Sequence, residues 1–385
     1  MIFVLFFLLV AAPIVVDNAA IFFMAIIAFS FVALHNYLYR RFWQEGLDID
    51  MRFSTTEAFE GDKASLNQTI TNKKFLPLPW VLMKYSISDN LMFEDTLEDA
   101  PELKYRRALF SVMMYQSVRR KLNFVCARRG FYRLRSVNVT CNNLLHTKHF
   151  IKDIPCYTEL TVFPRILDDY EEFDIIYKTL DSALLSNSLI NPDPFEFKGI
   201  REYSPTDPLR NINFKASAVA QELMVNIYAP TSSKSVEIIL NVEYYSVYPN
   251  YELTEQAIRL AATVASRYIG QDVKVSFYTN GADTYHGNYI KINGGNSSAH
   301  LHSILEGLAR LETVMRPRPM AAHLRDLQNS EVVYLIISCH HGSDFIEALQ
   351  EMEYKGLDYV VVLAVEAGAD TKSLETEKIK IWEAV

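Results

Sequence analysis

His340 and His341 are the two side chains of this sequence best suited by type to acid–base chemistry. They directly follow Cys339 at the end of an apolar run, and a cysteine beside a histidine can pair a nucleophile with its base. No nucleophile with a plausible orienting acid accompanies them in the sequence, and neighbours in a chain need not face each other in the fold. The pattern favours solvated loop histidines over a hydrolase, so we predict no catalytic residue and no enzyme activity.

The sequence offers little for zinc or another soft metal. Its cysteines form no CxxC pair and have no histidine at zinc-ligand spacing; they are Cys126, Cys141, Cys156 and Cys339. His300 and His302 are two residues apart on a predicted helix, so they point away from each other. We therefore expect free thiols, as in a reducing compartment, and no metal or other cofactor.

Residues 197–218 carry an unusual density of charge, turn residues and aromatics. Their sequence is FKGIREYSPTDPLRNINFKASA, and its two prolines impose extended or turn geometry. Arg201 and Arg210 lie within ten residues of Glu202 and Asp207, so arginine–carboxylate forks can form. Because such forks are directional, we interpret the segment first as a seam between domains, with docking as a second possible role.

Composition describes a folded, mildly acidic protein. The chain has 385 residues, of which 50% are hydrophobic, and its formal net charge is −8. This length predicts two or three folding units. The charge gives no reason to expect nucleic acid as a partner, because phosphate binding needs a clustered basic surface.

Two apolar runs at the N-terminus, residues 2–16 and 19–39, are separated only by Asp17 and Asn18. The second run would be about 31 Å long as a helix and could cross a bilayer, whereas the first, at roughly 22 Å, is marginal. The first run lacks the basic start and cleavage site of a secretory signal, so we expect no cleavage. A transmembrane hairpin over residues 1–40 is the preferred interpretation; a single span with the first run on the membrane surface is the alternative.

Arg40 and Arg41 follow the second run, while the predicted hairpin turn carries only an acid. Positive charge marks the cytoplasmic side, so the hairpin would place the N-terminus and residues 40–385 in the cytoplasm of a cell-membrane protein. In the single-span alternative, only the N-terminus lies on the other side of the membrane.

Two different patterns follow the apolar runs. Residues 47–166 alternate polar and apolar positions in short stretches, which predicts an antiparallel β-sandwich. Residues 168–189 have apolar positions near helical spacing and predict a linking helix within a segment 167–233. From residue 234 to 385, continuous apolar strands alternate with amphipathic helices, which predicts a doubly wound α/β domain. The predicted strands are 235–242, 272–280, 331–339 and 358–365, and the predicted helices are 251–269, 297–312 and 343–355.

The charged segment resembles the signature of the domain of unknown function 58 family, which is close to G-x-R-x-Y-x-P-G-D-x-x-R-x-I-x-W-K-x-S-A. Thr206 and Phe214 replace its usual Gly and Trp. Segments 59–72, 128–134 and 160–166 are similar to the family as well, so the resemblance extends over nearly the whole chain. The signature positions expected to form a seam or a docking element are Gly199, Arg201, Glu202, Tyr203, Asp207, Arg210, Phe214, Lys215 and Ser217.

This resemblance implies that the α/β domain is similar to the von Willebrand factor A domain. A working adhesion site of that kind binds Mg²⁺ through Asp-x-Ser-x-Ser, a Thr and a further Asp. The corresponding positions here are altered, so we expect a degenerate site without metal. They are Asn241, Glu243 and Tyr245 after the first strand of the domain, with Asn296 or Ser297 near the Thr position.

The family resemblance also implies a function. It predicts a bacterial, membrane-anchored interaction or scaffold protein that works with a MoxR-type AAA+ ATPase, and in some cases a transglutaminase-like membrane protein, in protein maturation or cell-envelope processes. The alternative is a metal-ion-dependent adhesion-type binding module with a degenerate site, which the altered ligand positions disfavour.

Overall fold

The computed structural model describes residues 19–94, 105–146, 148–167, 171–190, 192–205, 207–230, 235–244, 250–313, 317–366 and 375–384. The chain divides into two compact units, Met1–Val162 and Phe163–Val385. The first apolar run, predicted as one arm of a hairpin, lies outside the described residues.

The second apolar run forms a helix, α1 (Ala19–Phe42), whose 24 residues extend about 36 Å. Its stretch Phe23–Phe42 is long and apolar enough to cross a membrane, and only 11% of it is buried. Arg40 and Arg41 lie in its last turn, where positive charge complements the helix dipole. The structure therefore has one candidate membrane-spanning helix among its described residues.

Lys74 caps the end of α1. Its ammonium donates to the backbone oxygens of Trp43 (2.8 Å) and Glu45 (2.7 Å), which directly follow the last helical residue, Phe42. Trp43 is buried and stacks on Phe150, with ring centroids 5.9 Å apart. The helix is thus attached to the first unit by its C-terminal end.

A β-sandwich follows, as the alternating sequence predicts. One antiparallel sheet has the strand order β1-β3-β7-β5 and the other β2-β9-β8-β4-β6. Their inward side chains form one core, in which Leu66, Ile70 and Val139 are fully buried. The strands are β1 (Leu47–Phe53), β2 (Glu57–Phe59), β3 (Lys63–Asn72), β4 (Leu78–Ser86), β5 (Leu91–Phe93), β6 (Tyr105–Val112), β7 (Ser117–Cys126), β8 (Gly130–Asn142) and β9 (His149–Phe163).

The second unit combines a two-stranded ribbon with a larger sheet. Its strands are β10 (Pro192–Glu202), β11 (Met224–Pro230), β12 (Ser235–Asn241), β13 (Lys274–Asp283), β14 (Tyr289–Gly295), β15 (Leu311–Glu312), β16 (Val333–Ser338), β17 (Tyr359–Val365) and β18 (Ile379–Glu383). Its helices are α2 (Glu171–Ile190), α3 (Phe214–Ala220), α4 (Tyr251–Gly270), α5 (Ser298–Arg310), α6 (Met320–Asp326) and α7 (Ser343–Tyr354), with a 3-10 turn at Leu209–Asn211.

The larger sheet is doubly wound. Its order is β14-β13-β12-β16-β17-β18; the run from β13 to β18 is parallel, while β14 and β15 are antiparallel to β13. Helices α2, α4 and α5 pack on one face and α6 and α7 on the other. Covering both faces explains why β12, β16 and β17 read as continuous apolar runs.

The helix predicted to link two domains has a different position. Phe173 and Leu180 of α2 are buried in the same core as Ile238 of β12 and Val264 of α4. The helix therefore belongs to one helical layer of the α/β unit, because its apolar face is needed to cover the sheet.

All four cysteines are unpaired and buried, as expected for free thiols. Burial raises the pKa of Cys126 and Cys141 to about 11, so both remain protonated at neutral pH. These thiols serve as small apolar side chains of the sandwich core.

Replacing Lys74 by Met should change how stability depends on pH. Burial lowers the pKa of the Lys74 ammonium to about 8, below its unfolded value of 10.5. Between those values the unfolded chain holds more protons at this site, so its contribution to stability rises with pH. We expect the melting temperature of the full-length protein in detergent, minus that of Lys74→Met, to increase from pH 8 to 10. A difference that stays constant over this range would contradict the assignment.

Candidate functional site

The carboxyl ends of the parallel strands are the natural crevice for a ligand in a doubly wound sheet. Three buried polar side chains meet there: Asn241 at the end of β12, Asn280 near the end of β13 and Ser338 at the end of β16. The parallel register sets Asn241 directly beside Ser338. Sheet pairing alone therefore assembles this cluster from residues far apart in sequence.

The cluster is internally hydrogen-bonded. Asn241 donates its amide to the Ser338 hydroxyl (3.0 Å), and its oxygen accepts from the Asn280 amide (2.8 Å) and the Glu243 backbone N–H (3.0 Å). The Ser338 hydroxyl donates to the His340 carbonyl at 2.7 Å. Every polar atom of the Asn241 side chain has a partner, so no carboxylate or cation is needed to satisfy this buried position.

Asn280 and Glu243 hydrogen-bond to the backbone of residues 318–320 at the same ends of the strands. Asn280 also donates to the Arg318 carbonyl at 2.8 Å, and its oxygen accepts from the Val242 backbone N–H at 3.0 Å. The Glu243 carboxylate accepts from the backbone N–H of Met320, the first residue of α6, at 2.9 Å. An acid at a helix N-terminus is favourable, so the one carboxylate of the predicted site has a structural partner.

Two predicted site residues lie at the opposite end of the sheet, where the parallel strands begin. Asn296 donates to Asp272, just before β13 begins, and Ser297 caps the N-terminus of α5. The edge strand β14 runs antiparallel to β13 and returns the chain to this end, about 20 Å from Asn241 along the strands. Their assignment to the metal-site positions was wrong, because the hairpin turn between β13 and β14 is not evident from the sequence pattern. Tyr245 lies outside the described residues.

The described part of the chain contains no group of three or more His, Cys, Asp or Glu side chains that could hold a metal ion. At the carboxyl edge, the amides of Asn241 and Asn280 and the hydroxyl of Ser338 are uncharged and already bonded to each other or to the backbone. Mg²⁺ prefers charged oxygen ligands and dehydrates reluctantly. The arrangement is chemically suited to holding strand ends together.

Cys339 and His340 do not form a nucleophile and base. The Cys339 thiol is buried and lies 3.7 Å from the Leu253 carbonyl, and burial raises its pKa to about 12. His340 instead contacts the Tyr244 carbonyl through Nδ1 (3.3 Å) and the Asp344 carboxylate through Nε2 (3.6 Å). Burial lowers the pKa of His341, which therefore stays neutral at pH 7.

The signature residues form a compact β-ribbon and helix within the second unit. Strand β10 pairs antiparallel with β11, so that Arg201 lies opposite Val225. The chain then passes through a 3-10 turn at Leu209–Asn211 into α3 and returns to β11. A residue pattern twenty positions long is thus one local folding motif.

A fork between Arg201 and Asp207 closes the turn of this motif. The two guanidinium nitrogens lie 2.6 and 2.5 Å from the two carboxylate oxygens, and Asp207 also accepts from the Ser204 backbone N–H at 2.8 Å. The hydrogen bonds from Arg201 and then Ser204 lower the pKa of Asp207. The fork joins residues of the same segment; a role between two domains stays a prediction.

A second set of bonds closes the motif at its other end. Asn213 caps α3 by accepting from the Ala216 N–H (2.9 Å), and its amide donates to Asn226 of β11 (2.8 Å). The Ser217 hydroxyl donates to the Asn213 carbonyl and accepts from the Met224 N–H, both at 2.8 Å. Asn213 and Asn226 were not among the predicted residues, although an Asn directly before a short helix is a recognisable cap.

Most of the other side chains in this segment face outward. Phe214 and Val219 are 75% and 85% exposed, and Leu209 is 70% exposed. Arg210 and Lys215 are exposed beside them in sequence, and Glu202 is exposed at the end of β10. Tyr203 is partly buried, with its N–H donating to the Leu223 carbonyl, and a Cβ on Gly199 would meet no described atom within 4 Å. Polar side chains therefore hold the motif together while apolar ones face solvent.

No protein-family model matches the chain, and no curated protein matches it. Among solved structures, the CARDB domain of the PF1109 protein from Pyrococcus furiosus is 14% identical over 31% of this chain and 90% of that chain, with a TM-score of 0.20. The seventh ScaB type I cohesin from Pseudobacteroides cellulosolvens is 14% identical over 32% and 97%, with a TM-score of 0.22. The C-terminal domain of wzt is 14% identical over 33% and 78%, with a TM-score of 0.23. Similarities at these TM-scores carry no argument about function.

Asn241→Asp should destabilise the protein and should not create a Mg²⁺ site. It replaces an amide donor by a buried carboxylate facing the Asn280–Ser338 cluster, at a cost of about 3 kcal/mol at pH 7. Part of the loss should be recovered near pH 5, where the buried acid is protonated. Denaturant unfolding of the full-length protein in detergent measures this, with exposed Asn288→Asp as the control. Restoration of wild-type stability by millimolar Mg²⁺ would contradict our account of the crevice.

Asp207→Asn should lower the melting temperature of the full-length protein by a few degrees at pH 7, because it breaks the fork with Arg201. Since the folded pKa of Asp207 is depressed, the fork stabilises the fold above the unfolded pKa of about 3.9 and is lost as pH falls through the folded value. The difference between wild type and variant should therefore shrink below pH 4. Arg210→Ala, which leaves the fork intact, is the control; equal melting of Asp207→Asn and wild type at pH 7 would refute the structural role.

Proposed function

We propose that this protein is a membrane-anchored, non-enzymatic interaction protein whose docking element is the signature motif, residues 197–226. The proposal rests on one observation: polar side chains of the motif bond to each other, and its apolar side chains are exposed. Asp207, Asn213 and Ser217 bind partners inside it, whereas Phe214 and Val219 face solvent. Such a rigid frame with outward apolar side chains suits recognition of another protein.

The chemistry of the exposed side chains indicates the kind of partner. Lys215 and Val219 are four residues apart on α3 and share a face, and Arg210 is exposed in the turn before it. Exposed aromatic and aliphatic side chains beside cations favour a partner surface that is apolar at its centre and acidic at its rim. Covering Phe214 and Leu209 would remove apolar surface from water and contribute to affinity.

The resemblance to the domain of unknown function 58 family leads us to name the partner as a MoxR-type AAA+ ATPase, with a transglutaminase-like membrane protein as a further candidate. In this proposal the α/β unit is a von Willebrand factor A-like domain that has lost its metal. The doubly wound sheet and the uncharged cluster at Asn241 support that assignment.

Localisation follows from α1. We propose that this helix anchors the protein in the cell membrane, that the preceding apolar run completes a hairpin, and that both units lie in the cytoplasm. Arg40 and Arg41 at the end of α1 support this orientation.

Cross-linking in the native membrane tests the function. Full-length protein carrying Phe214→Ser and Val219→Ser should recover at least about tenfold less AAA+ ATPase than wild type, because both changes remove exposed apolar contacts without touching the bonds inside the motif. The recovered ATPase is identified and quantified by mass spectrometry.

Tyr354→Ser is the matched control, since Tyr354 is 96% exposed on α7 and distant in sequence from the signature. It should recover the ATPase at the wild-type level. Equal recovery with all three proteins would remove the signature motif as the docking element, and recovery of no AAA+ ATPase with wild type would remove the named partner.

A further inference from the structure

Three loops of the β-sandwich surround the C-terminal end of α1. The loop 73–77 is fixed by the Tyr39 hydroxyl, which donates to the Pro77 carbonyl at 2.6 Å. The loop 143–146 is fixed by Asn143, whose amide donates to the Asn36 side chain at 2.7 Å. Both contacts are made to the helix itself, so these loops lie at the level of residues 36–39.

The third loop, 113–116, is attached to the first. The Tyr115 N–H donates to the Lys74 carbonyl at 3.2 Å, and the Asn72 side-chain amide donates to the carbonyls of Met113 (2.9 Å) and Leu76 (2.8 Å). We call loops 73–77, 113–116 and 143–146 together the collar. Its position relative to α1 is set by hydrogen bonds in every loop.

The collar exposes large apolar side chains. Phe75 is 73% exposed and Tyr115 71%, and the other members are Met113, Met114, Leu144 and Leu145. Tyr115 has a φ of 54° and His146 a φ of 51°, a region that a bulky residue occupies only at an energetic cost. Tyr115 therefore combines a strained backbone with a side chain that is mostly exposed.

The length of α1 shows what these side chains would meet. From Ala19 to His35, before the first collar contact at Asn36, the helix has 17 residues, about 25 Å. A bilayer hydrocarbon core is about 30 Å thick. The candidate span, Phe23–Phe42, includes Asn36 and Tyr39, the helix residues that the collar contacts. If α1 crosses the membrane over this stretch, the bilayer surface lies at the level of the collar.

We propose that the collar is a membrane-contacting surface, in which Phe75, Tyr115 and Leu144 insert into the interfacial layer of the bilayer around α1. This inference rests on the proposed membrane anchorage of α1. Tyr and large apolar side chains are favoured at this depth. The collar would then hold the sandwich against the membrane surface, whereas α1 alone would only tether it.

A groove of about 430 Å³ between α1 and the first loop fits this assignment. Leu38 and Phe42 line it from the helix, and Phe75 and Leu76 from the loop. The charged side chains beside them are Glu45, Lys74 and Lys73, and Lys73 is paired with Asp48 at 3.2 Å. The apolar side chains of the groove suit the acyl carbons of a lipid, and its rim of mixed charge suits the polar headgroup layer. The groove is continuous with the candidate membrane span, which is why we assign lipid to it.

Site-directed labelling of the full-length protein tests the proposal. The four native cysteines are buried, so a thiol-reactive fluorophore will label a cysteine introduced at an exposed position. We would label Phe75→Cys and Leu144→Cys in the collar, Ile27→Cys in α1 and Met92→Cys as the control. Met92 is exposed on β5, which pairs with the end of β7. That end of β7 lies beside the start of β3, and the collar begins at the other end of β3, about 30 Å away along the strand.

The labelled proteins are reconstituted in vesicles of phosphatidylcholine and phosphatidylglycerol in equal parts. Lipids carrying a nitroxide near the headgroup should quench the labels at positions 75 and 144 at least about twofold more than the label at position 92. Aqueous iodide should show the reverse order. A lipid nitroxide at the end of the acyl chain should quench the label at position 27.

Two failures can be told apart. If the label at position 27 is quenched by lipid but those at 75 and 144 behave like that at 92, the helix spans the membrane and the collar proposal is overturned. If the label at position 27 is itself open to iodide and unaffected by lipid nitroxides, the proposed anchorage fails and the collar proposal fails with it.

Discussion

Asn241 is fully buried at the end of the central strand β12, and both ends of its amide must find partners without water. Ser338 and Asn280 supply them from the two neighbouring strands. A charged residue at this position would require a cation, whereas the amide needs only neutral neighbours. The strand ends at the carboxyl side of the sheet are therefore joined by hydrogen bonds between the neutral side chains of Asn241, Asn280 and Ser338.

The outward-facing surfaces then become the places where the protein can act on other molecules. In the signature motif, the fork between Arg201 and Asp207 and the cap at Asn213 fix the backbone, leaving Phe214 exposed. In the sandwich, Lys74 and its neighbours fix the collar around α1. Both surfaces follow the same physical pattern, in which polar groups fix the backbone by hydrogen bonds while apolar side chains face outward.

Local sequence patterns predicted much of the fold. The runs that became β12, β16 and β17 are mostly apolar because both sheet faces are covered. The predicted helix 251–269 matches α4 almost residue for residue. Alternation predicted the sandwich equally well. Asn241 was identified as a strand-end residue, but its partner Asn280 was not, because sheet order is a long-range property. The hairpin that carries Asn296 to the other edge was missed for the same reason.

Photocross-linking at single positions in the native membrane tests most directly whether the protein acts by docking through its signature motif. A photoreactive amino acid replaces Phe214 in one chain and His341, at the crevice, in another. We predict a covalent adduct with an AAA+ ATPase from position 214 and none from position 341. An adduct from position 341 alone would contradict this prediction, because the partner would then bind the crevice at the carboxyl edge of the sheet.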